Sequence, residues 1–469
     1  MEALKQLYKE LTAKYPDECI PLPQSASSRK YFRLKKGAHS VIGTFSPDAR
    51  ETVAFKSFSI AFRKLGIHVP EFYLDSKDHH YYLQEDLGCE MLFDRLKASG
   101  FDLNDNPDNL KLYRKAIHQL VRIQFEGHQH VDYSLCVQRN RFDRTAILWD
   151  LNHFKYFFLK ISGIPFDEDL LEKDFQKLSE FLTSKYMEHF MFRDFQSRNI
   201  MIKDGDAYLI DYQGGRKGPV HYDLASLLFE AKTKLPEHSR QKLLEIYLTE
   251  VSGFEKIDRQ SFIDEFYWWA FVRLLQALGA FGLRGKIEKK GVFLQSIPSG
   301  LENLAYVMDR LTGGPELPEL NRCLHVLIAG KDHYPSEPEI YRGLTITVTS
   351  FSYRKTYPDD ISGNGGGFVY DCRFLSNPGR FEEYRSMTGF DRKVEDFFLE
   401  KGDMANFIET VKQQLNTVIE VYHKQLYDHL SVSFGCTGGR HRSVYATRIL
   451  SDYLRTLDNV RVIERHRDL

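Results

Sequence analysis

The 469-residue sequence contains no apolar run that approaches the length of a membrane span, so we expect no transmembrane segment and no membrane partner. Its six cysteines are scattered, without a CxxC pair or a tight cluster, which favours reduced thiols in a cytosolic protein. An excess of either charge is also missing, and the net charge of −1 argues against a general polyanion binder. The remaining composition, with 42% hydrophobic and 28% charged residues, is typical of globular proteins.

Length and periodicity predict several structural regions. A chain of 469 residues is too long for a single compact core. An amphipathic helix is predicted over residues 1–20, followed by a small sheet with one helix over about residues 20–84. The periodicity then becomes mainly helical over about residues 89–315. This order predicts a smaller lobe, a hinge and a larger helical lobe.

The C-terminal part has a different pattern. Residues 312–318 are rich in glycine and proline, and we place a linker at residues 321–340. Strands and helices alternate beyond the linker. The predicted fold class is therefore an α+β domain at residues 1–320, followed by an α/β domain at residues 341–469.

One motif combines two aspartates and an asparagine. Asn199 follows Asp194 by five residues, and Asp211 follows Asn199 by twelve residues. Phosphoryl transfer requires a positioned acceptor hydroxyl and neutralised phosphate charge. One aspartate can accept the hydroxyl proton, and an aspartate with an asparagine can hold Mg²⁺. The motif therefore predicts a phosphoryl-transfer site.

The local sequence predicts how these residues meet. Residues 199–203 and 206–211 are strand-like, and the Asp204-Gly205 pair between them is a favoured hairpin turn. With this turn, residue 199 lies opposite residue 210. Asn199 and Asp211 should then share the open end of the hairpin and reach one metal ion.

The pattern extends to a known family. Phe192-Arg193-Asp194, with Asn199, Asp211 and the later Tyr222-Asp223 pair, resembles the aminoglycoside phosphotransferase family. Within that family it is most similar to the kinases of anomeric N-acetylmuramate and N-acetylglucosamine. The resemblance covers about residues 10–315. It implies a bilobal, protein-kinase-like fold with ATP and Mg²⁺ as cofactors.

The resemblance also implies roles for single residues. Asp194 would be the catalytic base, and Asn199 and Asp211 the magnesium ligands. Arg193 and Asp223 would be structural residues of the catalytic loop. The adenine would be received through the backbone of the hinge, and the phosphates by the polar loop at residues 25–29, which gives the cofactor-binding set Glu85, Leu87, Ser27, Ser28, Arg29 and Lys30.

Three departures from the family pattern leave an alternative open. Phe192 stands where a histidine is usual, and the phosphate loop lacks a GxGxxG pattern. The expected strand carries Gly43-Thr44 and no lysine, so Lys30, Lys56 or no residue contacts the α- and β-phosphates. The alternative is a degenerate kinase domain without activity.

A second motif lies near the C-terminus. The alternating strand 430–434 leads into the glycine-rich loop 435–439 and then into a helix from about residue 442. Unpaired N–H groups and the helix dipole make such a junction an anion site. Arg440, His441 and Arg442 add charged donors, so the motif predicts a bound phosphate or phosphorylated small molecule.

Two resemblances compete for this loop. Cys436, Gly439, Arg442 and Ser443 satisfy the C-x-x-G-x-x-R-S pattern of cysteine phosphatases, which would make Cys436 a nucleophile. Over residues 343–469, however, the chain resembles the C-terminal domain of the RNase adaptor protein RapZ family. The shared motifs, which favour this second resemblance, are residues 371–378, 387–389, 435–443 and 465–469.

The second resemblance implies a Rossmann-like, self-associating domain that binds glucosamine-6-phosphate, and hence a homo-oligomer. The phosphosugar contacts would be Asp371, Arg373, Thr437, Gly438, Gly439, Arg440, His441 and Arg442. The family's best-known members also bind RNA. The P-loop domain of that family is missing here, and the chain stops at Leu469 without a basic tail, which weakens the expectation of RNA binding.

Together, these patterns predict an Mg²⁺/ATP-dependent kinase of a small-molecule hydroxyl group, with an amino sugar as acceptor, fused to a phosphosugar-binding domain. The alternative is a regulatory adaptor or metabolite sensor with a degenerate kinase domain. A cysteine-dependent phosphatase at Cys436 is the second alternative.

Overall fold

The computed structural model describes residues 1–22, 28–185, 188–288, 291–334, 343–358, 367–424, 427 and 429–469. The strands are β1 (Glu18–Pro21), β2 (Lys30–Lys36), β3 (His39–Phe45), β4 (Phe72–Asp75), β5 (Tyr81–Glu85), β6 (His189–Met191), β7 (Ile200–Lys203), β8 (Asp206–Leu209), β9 (Arg216–Gly218), β10 (Leu344–Ser352), β11 (Phe368–Asp371), β12 (His429–Cys436) and β13 (Val460–His466).

The helices are α1 (Glu2–Thr12), α2 (Ala49–Lys64), α3 (Leu92–Ser99), α4 (Pro107–Phe125), α5 (Arg144–Phe154), α6 (Glu168–Thr183), α7 (Val220–Leu228), α8 (Glu237–Val251), α9 (Arg259–Phe281), α10 (Gly291–Leu294), α11 (Ile297–Met308), α12 (Pro318–Ala329), α13 (Arg392–Lys401), α14 (Asp403–Lys424) and α15 (Arg442–Leu454). Within the described ranges, none of them combines the length and the apolarity needed to cross a membrane. The chain divides into two compact units, residues 1–280 with 299–331, and residues 281–298 with 332–469.

The first unit begins with an antiparallel sheet in the order β1-β2-β3-β5-β4. The apolar face of α1, with Leu4 and Tyr8, packs on Leu34 and Val41 of this sheet. Helix α2 begins at Asp48, whose side chain accepts a hydrogen bond from the backbone N–H of Arg50. The predicted sheet with one long helix is confirmed.

Two small antiparallel sheets of two strands each follow within the helical part of the first unit. Strand β7 pairs with β8, and β6 pairs with β9. Helix α9 is buried over most of residues 266–279, with Trp269 and Phe271 fully inaccessible. A helical segment this rich in large apolar side chains is stable only when most of its surface is packed against other elements. It therefore forms the centre of the helical lobe.

Three sequence predictions need correction. The N-terminal helix ends at Thr12 rather than near residue 20, because Ala13 adopts a left-handed conformation (φ 61°) and β1 then pairs with β2. The helical periodicity of the sequence predicts a helix over residues 175–190, but the helix ends at Thr183 and is followed by β6. The interval predicted as a linker, 321–340, opens inside α12.

Helix α12 is tied to the first unit. The Asp174 carboxylate of α6 accepts hydrogen bonds from the backbone N–H groups of Glu319 and Leu320, at 2.8 and 2.9 Å. These are two of the N–H groups that a helix start leaves without an internal partner. The first unit consequently continues through α12 to residue 331.

The second unit is built on a parallel sheet in the order β11-β12-β10-β13. Apolar residues of α13, α14 and α15 form one core with Ile346 and Val348 of β10 and Val432 and Phe434 of β12. Helices that cover a parallel sheet are typical of α/β domains. The predicted order of an α+β part followed by an α/β part is confirmed.

Candidate functional site

The backbone of the catalytic loop is held by Asp223. Its buried carboxylate accepts hydrogen bonds from the backbone N–H groups of Phe192 and Arg193, both at 2.7 Å, and from Gln124 Nε2 at 3.0 Å. Burial raises the pKa of Asp223 to about 7, and these donors oppose that shift. The contacts fix the residues that immediately precede Asp194.

The side chain of Arg193 is paired with Asp150 of α5. It donates to Asp150 at 2.8 Å, and the hydroxyl of Tyr222 donates to the same carboxylate at 3.1 Å. Arg193 also has a positive φ of 80°, which is uncommon for a residue with a side chain. The paired side chain and the Asp223 contacts together hold the turn that presents the next residue, Asp194.

Asp194 follows this turn, and its side chain is 53% exposed. Its Oδ1 lies 3.2 Å from Arg273 Nη2. The surrounding protein desolvates the carboxylate and raises its pKa, and the charge of Arg273 opposes this effect. The result is an accessible carboxylate with a defined cationic partner.

The β7–β8 hairpin places Asn199 and Asp211 together. Asp204 and Gly205 both have positive φ angles, 54° and 78°, as a tight hairpin turn of this type requires. The backbone N–H of Ile210 donates to the Asn199 carbonyl at 3.0 Å, so the predicted pairing of residues 199 and 210 is confirmed. Asn199 Nδ2 donates to the Asp194 carbonyl at 2.8 Å, which brings all three motif residues together.

Asp211 is surrounded by hydrogen-bond donors. It has a positive φ of 72°, and its Oδ1 accepts from Gln213 Nε2 at 2.9 Å. The same oxygen forms an ion pair with Nη2 of Arg29, whose Nε lies 3.4 Å from Glu51 of α2. Arg29, which immediately precedes β2, is thus brought next to an expected metal ligand.

The remaining cofactor-binding predictions fall on the same unit. Ser27 lies outside the described residues, while Ser28 and Lys30 are exposed. Glu85 accepts from Lys203 at 2.6 Å and from the backbone N–H of Glu71 at 3.1 Å, so its side chain braces the hinge. Leu87 is buried beside it. Lys56 donates to Asp75 at 2.8 Å, which places it away from the motif aspartates.

The packing of β3 explains why this strand carries no lysine. Gly43 faces α1, where an added Cβ would lie 2.5 Å from Leu34 and 3.1 Å from Leu4. Thr44 is buried and pairs across the sheet with Tyr31 and Tyr82. A long cationic side chain at residue 43 would collide with the α1 packing.

The second unit carries the glycine-rich loop between β12 and α15. Within the described ranges, the backbone N–H groups of residues 437–440 donate to no acceptor of the chain. Gly439 has a positive φ of 69° and packs against Ser352 and Asp468. The N–H groups of such a loop, together with a helix N-terminus, can receive an anion.

The charged residues of this loop differ in their contacts. Arg442 is buried, and its Nη1 donates to the carbonyls of Arg373 and Leu375 at 2.8 and 3.2 Å. His441 lies against the Tyr384 carbonyl at 2.9 Å, and Arg440 is exposed. The Arg373 guanidinium forms an ion pair with the Asp371 carboxylate at 2.7 Å. Since Arg442 contacts the carbonyl of Arg373, Asp371 lies at the same end of the sheet as the loop.

The thiol of Cys436 is buried at the end of β12. It is 3% exposed and lies 3.1 Å from the Ser443 hydroxyl. A cysteine nucleophile needs an accessible sulfur in a cationic environment. The contacts of this thiol give the phosphatase hypothesis no support.

Comparison with known families assigns both units. The model of the phosphotransferase enzyme family matches residues 18–258, which is more than half of the chain. The chain belongs to the phosphotransferase enzyme family. The model of the RapZ C-terminal domain matches residues 344–469, so this phosphotransferase-family chain also carries a RapZ C-terminal domain. Both family resemblances predicted from the motifs are confirmed.

Curated relatives match over part of this chain. A nucleotide-binding protein of Thermotoga petrophila is 38% identical over 127 residues, which cover 27% of this chain and 43% of that protein. The RNase adapter protein RapZ of Erwinia tasmaniensis is 30% identical over 241 residues, which cover 51% of this chain and 74% of that protein. The chain thus spans less than half of the length of the first relative.

Solved structures resemble this phosphotransferase-family chain at low identity. A choline kinase of Streptococcus pneumoniae has 14% identity and a TM-score of 0.43, covering 64% of this chain and 99% of that chain. A choline kinase of Cryptosporidium parvum has 12% identity and a TM-score of 0.45, covering 66% of this chain and 93% of that chain.

The cleft residues suit the cofactor pair of a phosphotransferase. Among the described residues, no cluster of three or more histidine, cysteine, aspartate or glutamate side chains is arranged to hold a metal ion. Asn199 and Asp211 offer one amide and one carboxylate. Mg²⁺ is commonly bound by one or two carboxylates together with waters and substrate phosphates. This small donor set therefore fits Mg²⁺ delivered with a nucleotide.

Several residues of the site were not found from the sequence. Arg273, Glu51 and Asp150 lie on α9, α2 and α5 and contact Asp194, Arg29 and Arg193, respectively. Nothing in the local sequence patterns of Glu51 and Asp150 marks them as site residues. The one available signal was Arg273 itself, because a charged residue inside an otherwise apolar helix usually has a buried partner.

Proposed function

We propose that the first unit is an Mg²⁺/ATP-dependent kinase that phosphorylates a hydroxyl group of a small molecule. The observation that carries this proposal is the convergence of Asp194, Asn199 and Asp211 at one end of the β7–β8 hairpin. The buried Asp223 carboxylate, which holds the loop before Asp194, supports it. A degenerate site would have no need to keep these four side chains in place.

The geometry suggests a role for each residue. The exposed Asp194 carboxylate accepts the proton of the acceptor hydroxyl, while Arg273 fixes its position. The Asn199 amide and the Asp211 carboxylate hold Mg²⁺, which, when bound with ATP, neutralises the charge of the transferred phosphoryl group. Asp223 and Arg193 hold the catalytic loop in its conformation. The backbone of the hinge at residues 85–87 receives the adenine.

We further propose that the acceptor is an amino sugar, and that the second unit binds an amino-sugar phosphate. The support is the RapZ C-terminal domain and the loop whose N–H groups at residues 437–440 donate to no described acceptor. The exposed Arg440 follows this loop, and Nη2 of the buried Arg442 lies 3.5 Å from the Thr437 hydroxyl. The bound sugar phosphate would be the product of the first unit or a signal that regulates it.

The deciding experiment measures ATP turnover with glucosamine, N-acetylglucosamine and N-acetylmuramate. We expect turnover with at least one sugar, and a loss of about a thousandfold in Asp194→Asn, because the amide cannot accept the proton. Asp204→Asn is the matched control. It changes an exposed carboxylate on the same hairpin, at a positive φ that asparagine tolerates. Absence of turnover by the native protein with every sugar would contradict the proposal for this panel.

A regulatory adaptor is the second candidate. The favouring observation is the 30% identity to an RNase adapter protein over 241 residues, which is 74% of that protein. In this candidate the first unit is a scaffold, and the second unit senses a metabolite or binds RNA. Tight RNA binding that weakens steeply with salt, together with a missing sugar-dependent turnover, would favour the adaptor.

A further inference from the structure

Arg29 is buried against Asp211, one of the two proposed magnesium ligands. Its Nη2 is paired with Asp211, and its Nε lies 3.4 Å from Glu51. The residue is 6% exposed, and its guanidinium lies 5.9 Å from the centre of the Tyr31 ring. A nearly buried guanidinium shared between carboxylates of two elements is held by its partners rather than by solvent.

The contacts of Arg29 are made through different nitrogen atoms. Nε faces Glu51 on α2, and Nη2 faces Oδ1 of Asp211. The same Oδ1 also accepts from Gln213 at 2.9 Å. The oxygen that a metal ion would use thus already has two donors, one of them charged. A divalent cation and a guanidinium cannot share this oxygen without strong repulsion.

We propose that Arg29 makes metal binding conditional on nucleotide binding. The proposal rests on the function proposed above. Without nucleotide, Arg29 neutralises Asp211 and competes with a divalent cation for Oδ1. With nucleotide, Arg29 exchanges Asp211 for phosphate oxygens, which a guanidinium binds in the same planar geometry as a carboxylate. Glu51 keeps hold of Nε during the exchange, and Asp211 becomes available to the cation.

The binding of phosphate by Arg29 also explains why a lysine on β3 is not required. The usual strand carries Gly43 and the short Thr44, so no cation reaches the cleft from there. Arg29 approaches from the loop before β2 instead, and Glu51 of α2 provides the orienting carboxylate. Because Arg29 contacts Asp211 directly, it can control the access of a metal ion to this carboxylate and can also bind phosphate.

The test measures two affinities of the full chain with Arg29→Met. The first is the affinity for Mn²⁺ without nucleotide, from the electron paramagnetic resonance of the free ion. The second is the affinity for a fluorescent, non-hydrolysable ATP analogue with Mg²⁺. Loss of the guanidinium should strengthen Mn²⁺ binding several-fold and weaken analogue binding by about tenfold or more. The opposite signs separate this effect from unfolding, which weakens both.

Two further variants complete the test. Arg50→Met is the matched control, because Arg50 lies next to Glu51 but is 73% exposed and pairs with Asp48. It should leave both affinities unchanged. Glu51→Gln removes one of the two carboxylates that pair with Arg29 and keeps the ion pair with Asp211, so analogue binding should weaken while Mn²⁺ binding does not strengthen.

The outcomes distinguish the inference from the proposed function. If native protein turns over ATP but Arg29→Met binds Mn²⁺ no more tightly, or binds the analogue equally well, the coupling is wrong and the kinase stands. If the native protein binds neither the analogue nor ATP in the presence of Mg²⁺, the kinase proposal fails first, and the coupling fails with it.

Discussion

Arg273 Nη2 lies 3.2 Å from Asp194 Oδ1, although 79 residues separate them in the chain. Arg273 is 8% exposed on the side chain and also donates to Ser226 at 2.6 Å and to Gln276 at 2.8 Å. All three of its nitrogen atoms are therefore engaged. A side chain held in this way can fix the position of the carboxylate that it contacts.

The first prediction concerns this pair. Arg273→Gln should lower kcat by about tenfold or more and change the KM for ATP little, because it loosens the base and leaves the nucleotide contacts in place. Arg259→Gln on the same helix is the control, since Arg259 is 55% exposed and pairs with Glu245. Steady-state kinetics with the preferred sugar measure kcat and the KM for ATP in both variants. An equal loss in the control would contradict a specific role for Arg273.

The second prediction concerns acid stability. Burial lowers the pKa of His221 to about 3 and of His189 to about 4, from an ordinary value of 6.5. On acidification, the unfolded chain gains protons near pH 6.5 that the folded chain does not bind. The two buried, neutral histidines therefore stabilise the folded state above pH 6.5, and this contribution is lost as the pH falls. Between pH 7.5 and 5.5, each histidine should lower the free energy of unfolding by about 1.4 kcal/mol.

Tryptophan fluorescence can follow this effect in the first unit alone. The three tryptophans, Trp149, Trp268 and Trp269, all lie there. In His221→Leu, the loss of stability between pH 7.5 and 5.5 should shrink by about 1.4 kcal/mol. His130→Leu changes an exposed histidine and should leave the loss as in the native protein. An unchanged pH dependence in His221→Leu would show that His221 is not the titrating group.

The third prediction compares two glycines of the C-terminal loop. Gly439 has a φ of +69°, and a Cβ there would lie 3.1 Å from Ser352 and 3.2 Å from Asp468, whereas a Cβ at Gly438 meets nothing within 4 Å. Gly439→Ala should destabilise the second unit by roughly 1–2 kcal/mol, and Gly438→Ala by less than about 0.5 kcal/mol. Hydrogen exchange in α15 provides the measurement. Equal exchange in both variants would contradict the strain argument.

The fourth prediction concerns the ligand of that loop. Glucosamine-6-phosphate should raise the melting temperature of the native protein, because a ligand that binds only the folded state stabilises it. Arg440→Ala should reduce this shift, since Arg440 is exposed at the loop and contributes charge. Arg455→Ala, at the other end of α15, is the control. If the shift is the same in all three proteins, Arg440 does not contribute to ligand binding.

The stretches that the sequence predicted well are those in which the partners are close in the chain. The hairpin through Asp204-Gly205 brings Asn199 and Asp211 together within thirteen residues, and turn chemistry alone decides that register. The loop from β12 into α15 is local in the same way. The linker prediction failed because the cap that begins α12 comes from Asp174, 145 residues earlier.

By itself, the sequence determined the two families, the order of the two fold types and the local motifs that carry Asp194, Asn199, Asp211 and the anion loop. These depend on turn residues, helix starts and hydrophobic periods, which act over a few residues. Only the tertiary structure decided that Arg29 pairs with Asp211, 182 residues away, and that Arg273 reaches Asp194. Such contacts depend on how whole elements pack, and no local period encodes which buried cation meets which carboxylate.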